Sequence, residues 1–179
     1  MNPAQQTVVI VSPALADANN GNWQTARRWQ QLLQSPGGAA LPRKARIVTQ
    51  WPDGPLAAKD QCMLALHARR SASSVAAWAN SRSSGQTDLA VTQPVPGLAV
   101  VLTGTDLYRD ILTDPLAQRS LQLAQCLVVL QAMGLSALPI GLQARARVIF
   151  QSTPARVALP KPTRSLKAPM AGPLREQKS

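Results

Sequence analysis

The stretch Leu98-Ala-Val-Val-Leu-Thr-Gly-Thr-Asp-Leu-Tyr-Arg-Asp110 decides the fold. It opens with an apolar run, which ends abruptly at Thr103-Gly104-Thr105-Asp106. A short apolar run bounded by turn residues is typical of a strand buried on both faces, and such strands belong to parallel sheets covered by helices. Ligands bind beyond the carboxyl ends of the strands in these sheets. The stretch therefore predicts a parallel α/β sheet and puts Thr103, Gly104, Thr105 and Asp106 beside a site.

Strands and helices alternate on both sides of this stretch. We predict strands at residues 7–11, 45–49, 62–66, 98–102, 126–130 and 147–150. We predict helices at residues 23–34, 71–80, 108–112 and 115–123, with one or two helical turns over 131–138. Asn22 is the predicted N-cap of the first helix, because a side-chain oxygen there satisfies free backbone N–H groups. The alternation predicts right-handed crossovers and a doubly wound, Rossmann-like parallel sheet.

The domain organisation follows from where this pattern stops. Residues 1–152 are predicted to form one domain, in which residues 81–97 are a long surface loop. Residues 153–179 are basic and rich in proline, without clean periodicity, which is typical of a linker.

Composition narrows the function classes. The net charge is +11, but residues 143–179 hold eight basic residues and one acid, so +7 lies there and +4 in residues 1–142. The sequence has no stripe of basic residues interleaved with aromatic residues, so we rank nucleic-acid binding lowest among the explanations of this charge. The two preferred explanations are a solvated tail and attraction of anionic small molecules. No apolar run approaches the roughly 18 residues that span a membrane. Cys62 and Cys126 are predicted to be reduced thiols of a cytoplasmic protein, in preference to a disulfide.

Polar residues follow nearly every predicted strand. Because the carboxyl ends of parallel strands meet at one edge, we expect these residues to surround a common ligand site. They are Ser12 and Asn19–Asn22 after the first strand, His67, Arg69, Arg70 and Ser71 after the third, Thr103–Asp106 after the fourth, Gln131 after the fifth, and Gln151 and Ser152 after the sixth.

Each candidate has a functional and a structural interpretation. Asn20, Gly21 and Asn22 are equally compatible with an anion site at a helix N-terminus and with a plain capped turn. Arg69 and Arg70 suit an anion clamp or a solvated helix start. Asp106 suits a site residue or a helix cap.

His67 is the only histidine, which excludes a multi-histidine metal site, and the two cysteines on separate strands do not supply one. A lone histidine is more often structural. Beside two arginines, however, its neutral form is favoured, so it could act as a base or as a hydrogen-bond donor.

Taken in order, these segments resemble the N-terminal half of the GT-B glycosyltransferases, and more closely the selenosugar synthase family of selenoneine biosynthesis. The resemblance covers most of residues 7–152. The matching segments are Ile10–Ala14, Asn19–Trp29, Ala65–Ala72, Val101–Asp110, Gln118–Leu121, Leu127–Gln131 and Val148–Ser152.

The resemblance implies a two-domain transferase that joins the sugar of a UDP-sugar, such as UDP-N-acetylglucosamine, to selenium from selenophosphate. This half would handle the acceptor, with no metal and no cofactor besides the UDP-sugar as co-substrate. His67 and Asp106 would line the reacting cleft as catalytic residues. The acceptor and its anionic group would be bound by Asn20, Gly21, Asn22, Arg69, Arg70, Thr103, Gly104, Thr105 and Ser152.

The C-terminal segment departs from this family pattern. Residues 168–178 look like the first strand and loop of a second domain, with Pro173 where the pattern has histidine. We therefore expect a truncated relative that lacks the donor domain, inactive alone or completed by a second chain. The alternative is a non-catalytic module that binds an anion or a nucleotide.

Overall fold

A computed structural model describes residues 7–14, 20–35, 43–83 and 93–152. It contains a six-stranded sheet in the order β2-β1-β3-β4-β5-β6, and every neighbouring pair is parallel. This confirms the prediction of a Rossmann-like α/β architecture. The strands are β1 (Thr7–Val11), β2 (Lys44–Val48), β3 (Asp60–Leu66), β4 (Val95–Leu102), β5 (Ala124–Val129) and β6 (Ala146–Val148).

Helices connect these strands. A π-helical turn, Asp106–Asp110, follows β4, and short 3-10 turns occur at Pro55–Lys59 and Ala132–Gly134. None of the helices in the described ranges is long and apolar enough to cross a bilayer. The helices are α1 (Gly21–Gln34), α2 (Ala72–Arg82), α3 (Ile111–Thr113), α4 (Pro115–Leu123) and α5 (Ile140–Gln143).

The two faces of the sheet carry different helices. On the α1 face, Ala26 of α1 packs in a cluster with Val8 and Ile10 of β1. On the opposite face, which we name the α2 face, Val75 and Trp78 of α2 are fully buried in the larger core cluster. The neighbouring strands β1 and β3 are thus followed by helices on opposite faces. This arrangement opens a crevice at their carboxyl ends, which is the usual ligand position in such folds.

An ion-pair network between partly buried Arg46 and buried Asp60 ties β2 to the start of β3. The guanidinium of Arg46 donates to the carboxylates of Asp60 and Asp53, which raises the pKa of Arg46 above its usual value. The Asp60 carboxylate has no exposed surface and also accepts from Trp51 Nε1 at 3.0 Å. The Trp51 ring lies 5.0 Å from the Trp78 ring, so the network extends to α2. These contacts fix the connection between β2 and β3 at the amino edge.

Some boundaries differ from the predictions. The first helix starts at Gly21, and its N-cap is Asn20 where we predicted Asn22, because the Asn20 side chain satisfies the first free N–H groups. The predicted loop over residues 81–97 is shorter, since α2 continues to Arg82 and β4 begins at Val95. Residues 84–92 and the predicted linker at 153–179 lie outside the described residues.

Candidate functional site

His67 follows β3 directly and is the most unusual residue of the carboxyl edge. Its φ angle is +72°, the left-handed region that only glycine adopts without cost. For other residues this conformation costs about 1–2 kcal/mol. Only 4% of His67 is exposed. A strained residue beside the crevice of a parallel sheet is typical of a functional position.

Three side chains hold the turn that contains His67. Ser71 Oγ donates to the Leu66 carbonyl at 2.6 Å, and Ser120 Oγ donates to the Ala68 carbonyl at 2.8 Å. The Ala68 N–H in turn donates to Asp106 Oδ2 at 2.9 Å. The left-handed conformation persists because its neighbours on both sides are fixed.

Asp106 joins the loops that follow β3 and β4. Besides the Ala68 N–H, its carboxylate accepts the N–H groups of Thr103 and Gly104, each at 2.9 Å. The residue has no exposed surface. The predicted catalytic role would require this carboxylate to reach a substrate. The observed contacts instead give it a positioning role, because it acts through the backbone of the two loops.

Asp110 is a member of the site that was not predicted from the sequence. Its Oδ2 lies 3.9 Å from His67 Nε2, and its Oδ1 accepts from Arg109 Nε at 2.9 Å. The signal was present in the sequence: a carboxylate four residues after Asp106 shares its side of a helical turn. Asp106 and Asp110 both belong to the π-helical turn. This conformation is rare in proteins overall, but where it occurs it is often at a functional site.

The hydrogen bonds of His67 indicate its protonation state. Its Nδ1 faces the Arg70 N–H at 3.4 Å as acceptor, which puts the ring hydrogen of the neutral imidazole on Nε2. Nε2 faces Thr105 Oγ1 at 3.3 Å, and Thr105 is exposed. Burial lowers the pKa of His67 below its ordinary value, and of the nearby charges Asp106 and Asp110 raise it while Arg70 lowers it. Neutral His67 therefore presents a donor to the threonine that meets solvent.

The two arginines after His67 have different surroundings. Arg69 Nε contacts Asp114 Oδ2 at 2.8 Å, and Asp114 also caps α4. Arg70 is exposed, and its positive charge acts on His67. Arg69 therefore connects the His67 turn to α4, whereas Arg70 presents its positive charge at the carboxyl edge.

At the N-terminus of α1 the contacts are those of a capped turn. Asn20 Oδ1 accepts from the N–H groups of Asn22 and Trp23 at 3.0 and 3.1 Å, so these two donors are already used. The space beside the Gly21 α-carbon is open, since an added Cβ would meet nothing within 4 Å. The Ser152 carbonyl accepts from Arg28 Nε at 3.2 Å, which puts Ser152 beside α1.

The predicted site residues thus form two groups on the carboxyl edge. Asp106 and His67 bring together the residues 67–70 and 103–106, whereas residues 20–22 and 152 lie at α1. Gln131, also predicted at this edge, donates to the Tyr108 hydroxyl. Within the described ranges, no group of three or more His, Cys, Asp or Glu side chains could hold a metal ion. Cys62 and Cys126 are both free thiols, as predicted.

No protein-family model matches the chain, and no curated protein matches it.

Proposed function

We propose that this chain is the acceptor side of a GT-B glycosyltransferase of the selenosugar synthase type, acting in the cytoplasm. The observation that carries the proposal is the strained, braced His67 turn beside the β1–β3 crevice, with exposed Arg70 and Thr105 at the same edge. The ordered series of sequence segments that resemble this family supports it independently.

In the proposed reaction, selenophosphate binds at the carboxyl edge, where Arg70 offsets its negative charge. The selenium forms a bond to the anomeric carbon of the UDP-sugar. The bond from that carbon to the diphosphate oxygen breaks, and its electron pair leaves with UDP. Thr105 contacts the acceptor, and neutral His67 orients the Thr105 hydroxyl by donating from Nε2. Asp106 and Asp110 act as positioning residues for His67 and its loop.

The UDP-sugar needs a second wall, which other GT-B enzymes supply with a second domain. A second candidate function, a module that binds an anion without catalysis, is favoured by the burial of the imidazole. His67 is only 4% exposed, so a substrate reaches it only through Thr105 or after a local movement.

The test is to incubate the chain, alone and with an added donor domain, with UDP-N-acetylglucosamine and selenophosphate and to measure UDP, with binding of selenophosphate followed by calorimetry. Release of UDP that is lost in Arg70→Ala and Thr105→Val supports the transferase. Binding without UDP release, both alone and with an added donor domain, assigns the chain to the anion-binding module. Absence of both binding and release overturns the proposal.

A further inference from the structure

A pocket of about 440 Å³ opens beside the C-terminal half of α2, away from the candidate site. It lies near the amino edge of the sheet, since its lining residues include Asp60, which begins β3, and Arg82, which ends α2. At about 3.3 Å per strand residue, the length of β3 separates this level of the sheet from His67 by about 20 Å. Sites for small molecules in proteins have volumes of about 300–1,000 Å³, so the pocket is large enough to hold one.

Most of the pocket wall is apolar. Trp51 and Ala57 are buried members of the core cluster on the α2 face, and they form the floor of the pocket. The Trp51 indole is held there by its hydrogen bond to Asp60. The alanines of the wall leave the space beside the indole open, so the pocket suits a flat apolar body. The apolar lining residues are Trp51, Pro52, Ala57, Ala58 and Ala77.

Arg82 adds a positive charge to this apolar wall. Its guanidinium carbon lies 4.3 Å from the centroid of the Trp78 ring, and its Nη2 donates to the Asp60 carbonyl at 2.7 Å. These two contacts fix the guanidinium and leave most of its N–H groups for a ligand. Arg69 and Arg109 each form an ion pair with an aspartate, whereas no carboxylate among the described residues pairs with Arg82.

We propose that this pocket binds a small aromatic carboxylate, with its ring against Trp51 and the alanines and its carboxylate on Arg82. The fork of guanidinium N–H groups matches the two oxygens of a carboxylate. Arg82 lies in the last turn of α2, where the helix end carries partial negative charge. A single negative charge is therefore favoured over a dianion such as phosphate. This proposal does not depend on the proposed function.

The probe is 2-naphthoate, added to the full chain while the indole N–H signals are followed by nitrogen-15 NMR. The chain has four tryptophans, and two of them, Trp23 and Trp29, belong to α1 on the other side of the sheet. We expect saturable shifts of the Trp51 and Trp78 signals, with a Kd of about 1 mM or below, and unchanged signals from Trp23 and Trp29.

Two variants test the two parts of the pocket separately. Arg82→Gln removes the charge and should weaken binding about tenfold, because it removes a charge-assisted contact. Ala77→Leu fills the pocket, keeps the guanidinium and should weaken binding by a similar factor. The matched control Arg27→Gln removes an exposed arginine from α1 and should leave the Kd unchanged.

A neutral analogue, 2-naphthalenemethanol, has the same ring without the charge and should bind about tenfold more weakly than 2-naphthoate. Equal binding of the two compounds would overturn the proposal, and so would an unchanged Kd in Arg82→Gln or Ala77→Leu. Equal shifts of all four indole signals would show unspecific association and would overturn it as well. The same holds if no indole signal shifts up to about 10 mM 2-naphthoate.

Discussion

His67 Nε2 and Asp110 Oδ2 lie 3.9 Å apart, and each side chain is only 5% exposed. His67 belongs to a turn with a left-handed backbone, and Asp110 belongs to a π-helical turn. Each of these conformations is rare in proteins. Both are held by Asp106, which fixes the backbone of the two loops. The candidate site is therefore a preorganised unit, and its titration, stability and ligand response can be tested separately.

The imidazole titration gives the first prediction. His67 is the only histidine, so its ring resonances need no assignment. Because burial dominates the shift, its pKa should lie below 6.5. Arg70→Ala should raise this pKa and Asp110→Asn should lower it, since the first removes a positive charge and the second a negative one. Nitrogen-15 NMR measures both. Shifts in the same direction in both variants would contradict the electrostatic assignment.

The lowered pKa also predicts a pH-dependent stability. Between the folded-state pKa of His67 and 6.5, the unfolded chain binds more protons than the folded chain, so stability rises with pH. The contribution is complete above 6.5 and is lost as the pH falls toward the folded-state pKa. His67→Asn removes the titration and keeps a residue that tolerates a left-handed φ. Urea unfolding between about pH 5.5 and 7.5 should show a shallower pH dependence in this variant.

Asp106 gives a prediction about the loops. Asp106→Ala leaves three backbone N–H groups without their acceptor, and each such loss costs about 1–3 kcal/mol when the group stays buried. Because the Ala68 contact is buried and the Thr103 and Gly104 contacts are partly buried, we expect a loss of about 2 kcal/mol or more in the free energy of unfolding. Asp106→Asn keeps one carbonyl oxygen and should lose less. Equal stability of Asp106→Ala and the parent chain in urea unfolding would refute the positioning role.

Asp60 and Asp53 both pair with Arg46, so substituting each in turn compares the stability contributed by a buried and by a more exposed carboxylate. Asp60→Asn removes the fully buried negative charge that faces Arg46, whose partly exposed guanidinium keeps Asp53, so it should cost about 1.5–3 kcal/mol. Asp53→Asn removes the more exposed partner and should cost about 1 kcal/mol or less. Urea unfolding of both variants measures the contrast. If Asp53→Asn cost as much as Asp60→Asn, burial would not be the deciding factor.

Two glycines differ in whether their position requires glycine. One has a positive φ and no room for a side chain, and the other has open space beside its α-carbon. Gly97 has a φ of +74°, and an added Cβ would lie 2.5 Å from the Gln61 carbonyl oxygen. Gly97→Ala should therefore cost about 2 kcal/mol or more. Gly21→Ala meets no atom within 4 Å and lies at the start of α1, so it should be neutral or slightly stabilising. Thermal unfolding of both variants tests the difference.

The strands and their direction could be predicted because central parallel strands have a simple signal. Thr7–Val11 and the run that ends at Leu102 are continuous apolar segments followed by polar turns, and both are strands in the structure. The amino-terminal ends were harder. Val95 and Pro96 begin β4 where proline normally argues against a central strand, and the register is irregular there.

The site was predicted only in part, for a physical reason. Polar residues after strands can be found in the sequence, so His67 and Asp106 were both singled out. Their contacts depend on tertiary packing: the left-handed φ of His67 is imposed by partners as distant as Ser120. Asp110 was missed because the helix was expected to begin at residue 108, whereas the observed turn starts at Asp106 and includes both carboxylates.

The proposed function requires that the edge around His67 binds an anionic acceptor. The most direct measurement is the NMR signal of the single imidazole during titration with selenophosphate, with orthophosphate as the comparison. We predict a saturable shift in the parent chain, weakened by about tenfold in Arg70→Ala, because a charge-assisted contact contributes about 1.5 kcal/mol or more. An imidazole signal that stays unchanged up to about 10 mM selenophosphate, which would fill a site with a Kd of about 1 mM, would contradict the proposed function.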